Sequence, residues 1–447
     1  MAPLQHRLSA VEYFTFGFGT MVGVGWLVLM DDWLGRGGPA GMMIAFLVGG
    51  LLLLPVARTY GSLVRGIPDA GGEIAYTEGV FTPFLSFTTG WTMVLAYAIV
   101  CPWEAVAIGN VLARVSPALN SWPLYDVAGK TIFAPRLAAG LALTGLIAWV
   151  NLRGIRPSGV FQDVTTFGLL AAFAVFATLG FVKGDAANLQ PLFARPGAAG
   201  ALLSILLAMQ VVPYFMTGFE SVVKGSEEAE AGFDRRQFAR MMYLAVVAGS
   251  LFYVLIVGVV SMVHPWREIV AGHVGTETAF ERAFGSRGIA RLILVAAFLS
   301  LLKIFNGNFV AATRLVLAMG RRGLVHPALA RVHPAHGTPS AAIWLVAALT
   351  AAAAFFGDAL LVPITEVGSL AAGVGWLSAC VAWLMRVDDE PRWPAWLGVA
   401  VSSALIAMKV LPFVPGSFST SEWMALGGWL ALGWGFWAAK TRPRPTA

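Results

Sequence analysis

The sequence predicts an all-α integral membrane protein of about twelve transmembrane helices, with the first and sixth interrupted. Three observations carry this. Charged residues make up 12% of the chain and hydrophobic ones 58%, with a mean hydropathy of +0.74. A soluble domain carries roughly 25% charged residues, so the charge here is too sparse to cover a water-facing surface. The apolar runs are about 20 residues long, the length at which a helix crosses a bilayer, whereas a barrel would show ~10-residue alternating strands. Finally, two of these runs carry glycines at their centres, in Gly19-Thr20-Met21-Val22-Gly23-Val24-Gly25 and in Met216-Thr217-Gly218.

Taken in order, the runs lie near 11–34, 39–58, 83–113, 135–152, 160–182, 201–223, 240–263, 289–319, 339–357, 359–385, 394–413 and 422–439. The first holds the glycine cluster. Residues 66–81, after the second, are polar and glycine-rich, too short to cross, and are expected to form an interfacial helix. The third carries Pro102-Trp103-Glu104, the eighth Lys303 and the tenth Glu366. Residues 264–288 form the longest polar connection. Basic residues divide about 18 to 11 between the two sides, which places both termini in the cytoplasm of a cell (inner) membrane. The domain reading is a first repeat over 1–182, a second over 201–385, and two helices with a cytoplasmic tail over 394–447.

Several functions are excluded. The net charge of +6 reflects basic inner loops, and no nucleic-acid partner is expected. Cys101 and Cys380 both lie inside apolar runs, so neither a disulfide framework nor a cysteine metal site is expected. All six histidines fall outside the runs, which argues against haem. No nucleophile–base pair and no Gly-Lys-Ser/Thr phosphate loop is present, so neither an enzyme nor an ATP-driven pump is expected, and no cofactor or metal. The first apolar run is too long for a cleavable signal. A channel would show a filter or charged rings in place of two offset breaks.

Glycine in a helix interior costs roughly 1 kcal/mol against alanine. Gly19 and Gly23 alone have the spacing of a small-residue packing motif. Breaks in two helices five spans apart point instead to an inverted-repeat carrier with its site at the interruptions. A half-helix starting near Gly25 presents N–H groups to a carboxylate. Half-helices ending near Met21 and Phe215 leave carbonyls for an ammonium. This polarity favours an amino acid as the small-molecule substrate, with a polyamine or small amine as the alternative.

The glycine cluster resembles the first-helix signature of the amino acid–polyamine–organocation (APC) family. Phe215-Met216-Thr217-Gly218-Phe219-Glu220 with Glu227-Glu228 resembles its sixth helix. Pro68-Asp69-Ala70-Gly71-Gly72 is similar to the loop after helix two. Arg314 through Gly320-Arg321-Arg322-Gly323, then Thr338-Pro339-Ser340-Ala341, is similar to its eighth and ninth helices. The resemblance covers roughly residues 10–385. It implies the leucine-transporter fold, with helices 1–5 and 6–10 as inverted repeats plus two C-terminal helices. It also implies a permease working by alternating access. Backbone at Gly23, Val24 and Gly25 would then hold the substrate carboxylate, carbonyls at Met21 and Phe215 the amine, and Phe215 would be a gate.

An ionisable residue inside a span is a functional candidate, because burying its charge is costly. Lys303 is the sharpest case. Some family members carry a lysine in helix five where sodium-coupled relatives hold an ion. By alignment that position here is about Leu169, so Lys303 on helix eight is expected to take over the cation's role. If Lys303 loses its proton during the cycle, transport is coupled to protons; if it does not, transport is uncoupled exchange or facilitation. Glu104 shares a helix face with Tyr97, Cys101 and Ile108. It either pairs with Lys303, leaving a neutral site, or binds a cationic substrate group. Pairing is the preferred reading, since an unpaired Lys303 is expensive. Tyr97, Thr217, Gly218 and Asn308 are further pocket candidates, and Trp26 is expected to narrow the site. Glu227 and Glu228 are expected to form cytoplasmic gate ion pairs with loop arginines. Glu220 and Glu366 complete the buried charges.

Overall fold

The computed structural model of the protein describes residue 4, residues 6–387 and residues 390–440, with backbone alone over 360–365. The tail from 441, including Arg442 and Arg444 of the charge tally, lies outside the described residues.

Nine helices among the described residues are long and apolar enough to cross a membrane. The broken sixth span, the ninth (Ser340–Ala354) and the last (Thr420–Ala438) stand outside that set. With them, the expected order of elements is recovered. The first span is Ala10–Met21, a non-helical stretch over 22–24, and Gly25–Val28. From Met30 the helix continues to Gly66, with a kink at Gly38. Gly38 has φ +66° and Pro39 follows, so the kink separates the outer half of the first span from the second. The second span thus runs eight residues past the expected end at 58.

The third span is Pro83–Ala98 and Val100–Val115. Its bend at Ile99 precedes Pro102, whose ring cannot sit beneath the carbonyl four residues back. The fourth and fifth spans, Ala134–Arg153 and Ile155–Lys183, turn at Gly154. The sixth is Gly197–Met209, Val212–Met216, an unwound stretch over 217–220 and Ser221–Lys224. Then come Arg236–Val263, Arg287–Arg321, Ser340–Ala354, Leu361–Arg386, Trp393–Val410 and Thr420–Ala438.

Two features depart from the expected all-helical chain. A hairpin of β1 (Pro123–Val127) and β2 (Lys130–Phe133) joins the third and fourth spans. Its turn is Ala128-Gly129, both at positive φ. The short helix Glu73–Thr77 is not interfacial, because all five of its residues are buried. It is drawn under the bundle by the Glu73 carboxylate, which ion-pairs with Lys224 and accepts from the Tyr60 hydroxyl at 2.7 Å.

Candidate functional site

The two unwound stretches cross at the centre of the bundle. Gly218 has φ +127°, and a Cβ there would stand 2.7 Å from the Thr20 carbonyl carbon. Only glycine allows the sixth span to run backbone against backbone over the first. The Ser221 hydroxyl then donates to Thr20 Oγ1 at 3.2 Å.

The end of the first half-helix is held from spans seven and eight. Lys303 Nζ donates to the carbonyls of Gly19 (3.3 Å) and Val22. Ser300 Oγ reaches the Val22 and Gly23 carbonyls at 3.1 and 2.8 Å. Asn308 Nδ2 donates to Thr20 O at 3.3 Å, and the Tyr253 hydroxyl to Met21 O at 3.0 Å. Every carbonyl from residue 19 to 23 therefore has a side-chain donor. Lys303 is completely buried, and the Phe18 ring lies 5.4 Å from its nitrogen.

The sixth-span break is different. Thr217 Oγ1 donates back to Pro213 O at 2.6 Å, and the Gly218 N–H donates to Glu220 at 3.1 Å. Among the described residues no donor is recorded on the carbonyls of Phe215, Met216 or Thr217, at the end of the half-helix Val212–Met216. Glu220 Oε1 is buried without a hydrogen-bond partner.

A small cavity of about 10 Å³ lies between the breaks, about the room of one water molecule. Met21, Gly23, Val24, Gly25, Phe215, Thr217, Asn308 and Glu104 line it. The helix resumes at Gly25 with no side-chain cap, so its first N–H groups have no side-chain acceptor. Phe215 closes directly over it, since a Cβ on Gly25 would meet the Phe215 ring. Trp33, 4.7 Å away, and Tyr253, 5.9 Å away, fix that ring edge-on.

Other candidates lie elsewhere. Trp26 packs against Phe176 and Phe252, away from the cavity; the first span turns after Gly25 so that its indole points between spans five and seven. Tyr97 sits a layer lower, with its ring 5.8 Å from Lys224 Nζ, because Lys224 and Glu73 fill the space beneath the sixth-span break. Gly218 forms the crossing without lining the cavity. No ion pair joins Lys303 to Glu104 among the described residues. Lys303 is turned toward the backbone of the first span, and Glu104 Oε2 is buried with no partner. Oε1 lies 3.3 Å from the position a Gly23 Cβ would take.

Below the site the charges are stacked. Lys224 and Glu73 are paired at zero side-chain exposure. Beneath them Arg314 and Glu228 form a two-pronged pair at 3.0 Å, also fully buried. Glu227 pairs with Arg321 at 2.7 Å and accepts the Ala70 N–H at 3.0 Å. Arg314 is thus a buried residue of the eighth span's interior. Tyr253, Ser300, Lys224 and Glu73 were not picked out from the sequence. Hydroxyls in apolar helices carry no distinctive pattern there, but Lys224, four residues after Glu220 in an apolar run, was a visible signal.

Two crossing helix breaks, buried in a bundle of membrane-crossing helices, fit a multi-pass membrane permease. The family model described as amino acid permease matches residues 8–436, and the chain belongs to that family. It is similar to the methylthioribose transporter of Bacillus subtilis (strain 168), with 27% identity covering 96% of this chain and 92% of that protein. It is 25% identical to the branched-chain amino acid permease BcaP of the same organism, over 85% of this chain and 79% of that one. It is also 25% identical to the vacuolar cationic amino acid transporter 4 of Arabidopsis thaliana, over 90% of this chain and 66% of that one. The protein is a transporter of amino acids.

Proposed function

We propose that the protein moves amino acids across the cell (inner) membrane by alternating access, with both termini cytoplasmic. The repeats 1–182 and 201–385 move against each other, and the Lys303 ammonium stands in place of a coupling cation. The seat of Lys303 Nζ on the Gly19 and Val22 carbonyls carries this reading. A half-helix end there needs positive charge, and the lysine supplies it from the eighth span without an ion. The substrate carboxylate faces Gly25. Its amine faces the carbonyls of Phe215 to Thr217, because Met21 O is already taken by Tyr253.

If Lys303 gives up its proton in one state, substrate movement is coupled to a proton. Lys303→Ala and Lys303→Gln, reconstituted in liposomes, test this. Both are expected to lose the dependence of uptake on a pH gradient. A dependence that persists unchanged in both variants overturns the reading.

Glu104 favours one substrate class. Its carboxylate lies at the cavity without a partner on Oε2, and leaving a charge so buried is costly. A second cationic group on the substrate would satisfy it. The relatives above are named for a thiosugar, branched-chain and cationic amino acids, so membership of the family leaves the class open. L-arginine or L-lysine is expected to compete strongly for uptake, and putrescine weakly, since it lacks a carboxylate for Gly25. Competition by neutral amino acids alone would remove Glu104 from specificity, and stronger competition by putrescine would favour the polyamine alternative.

A further inference from the structure

Beneath Lys303, the interface of spans one, four, five and eight is polar where packing alone would suffice. On the side of Gly19 away from Lys303, the Gln162 amide lies where a Gly19 Cβ would stand. Gln162 Nε2 donates to Thr15 O at 3.1 Å, and Oε1 accepts from Asn306 Nδ2 at 2.9 Å. A Cβ on Gly307 would stand 3.4 Å from the same Nε2. Two glycines, one on span one and one on span eight, thus make the slot that Gln162 fills. One turn above Gln162 is Thr166, fully buried, its hydroxyl without a partner and 3.2 Å from the position of a Gly19 Cβ. The hydroxyl of Thr15, whose carbonyl holds Gln162, donates to the adjacent Asp163 at 2.5 Å. Asp163 is only partly buried and stands well inside the helix Ile155–Lys183.

The seam leads from a buried ammonium to a carboxylate at its open end, and polar residues within spans mark proton routes. Asp163 has no ion-pair partner among the described residues. The titratable group facing it is Glu12, on span one. Lys303 feels the charge of Glu104 on span three without an ion pair between them, and the Tyr253 hydroxyl on span seven binds the nearby Met21 carbonyl. No charged group from spans four, five or eight pairs with either among the described residues.

We propose that Asp163 is the cytoplasmic-side proton acceptor for Lys303, reached along Thr166, Gln162 and Thr15 when the inner half of span one moves off span five. This rests on the reading that Lys303 titrates during the cycle. That movement takes Gly19 and Thr15 O away from Gln162 and opens the slot to water. The N–H bond of the Lys303 ammonium breaks, its electron pair stays on Nζ, and water carries the proton to form an O–H bond on Asp163. Asp163 then releases it to the cytoplasm. Gln162 and the threonine hydroxyls position the water.

The test uses proteoliposomes loaded with a pH-sensitive dye and challenged with an equimolar mixture of the twenty standard L-amino acids. Exchange of a 14C-labelled mixture of the same amino acids is followed in parallel. Asp163→Asn is expected to reduce amino-acid-driven proton movement at least tenfold while exchange stays within twofold of the parent. Asp163→Glu is expected to restore proton movement. If Asp163→Asn does not fold, Thr15→Val disconnects the carboxylate and is expected to give the same split. Proton movement retained in the variant overturns the assignment of Asp163 alone. A parallel fall in exchange and proton movement also overturns it, making Asp163 a packing residue. If the unmutated protein moves no protons, the coupling role of Lys303 falls and this inference with it.

Discussion

The two broken helices solve the same backbone problem in opposite ways. In the first span, donors from Lys303, Ser300, Asn308 and Tyr253 cover the carbonyls from residue 19 to 23. In the sixth, the carbonyls of residues 215–217 carry no recorded donor among the described residues, and the charges lie a layer below. A freed carbonyl buried without a partner costs about 1–3 kcal/mol. In this structure the first break meets that cost with the protein's own side chains. The second leaves it unmet among the described residues. The proposed seat of a substrate amine at the sixth span rests on that difference between the two breaks.

The largest expected effect lies in the charged base under the sixth-span break. Glu228→Gln strands the Arg314 guanidinium in a fully buried position. Losing one partner of such a pair costs about 3–5 kcal/mol, so the purified variant should melt well below the parent and transport should be abolished. Replacing both partners by apolar residues should recover most of that stability. A small effect of the single change would mean that water reaches the pair, and the base would not be the closed layer that the comparison requires.

Gly218→Ala acts at the crossing itself. Its φ of +127° and the 2.7 Å approach to Thr20 leave no room for a methyl. Such backbone strain costs on the order of 1–3 kcal/mol, and the two breaks must separate to relieve it. Uptake is expected to fall on the order of 100-fold, about 3 kcal/mol at 1.4 kcal/mol per decade, with a smaller loss of thermal stability. Near-normal uptake would show that the breaks need not touch for the site to form.

The sequence displayed the breaks themselves, because glycine clusters in apolar runs have few structural uses. The span order and Lys303 were equally legible, since each stands out from its immediate neighbours. What Lys303 touches was not, because the choice between Glu104 and backbone carbonyls depends on how the first span unwinds three-dimensionally. The orientation of Trp26 was hidden for the same reason: the helix resumes at Gly25 with a rotation that no local pattern encodes. The hairpin after the third span carried an Ala128-Gly129 turn signal, but its strands are short and lie between two stronger apolar runs. Asp163 escaped notice because a single carboxylate eight residues into a helix looks like an interfacial residue until Thr15 and Gln162 are seen beside it.

The smallest effect separates the two breaks most cleanly. Tyr253→Phe removes the hydroxyl that donates to Met21 O at 3.0 Å and leaves the ring in its stack with Phe46, whose centroid is 4.5 Å away. One lost hydrogen bond is worth about 1 kcal/mol of stability. If the amine belongs to the sixth span, freeing Met21 O offers it nothing new, and the apparent affinity for substrate should move by less than about threefold, under 0.7 kcal/mol. If the amine instead competes with Tyr253 for Met21 O, removing the competitor should tighten binding. A tenfold gain in affinity in Tyr253→Phe, with its fold intact by thermal unfolding, would return the amine to the first span and dissolve the contrast between the breaks.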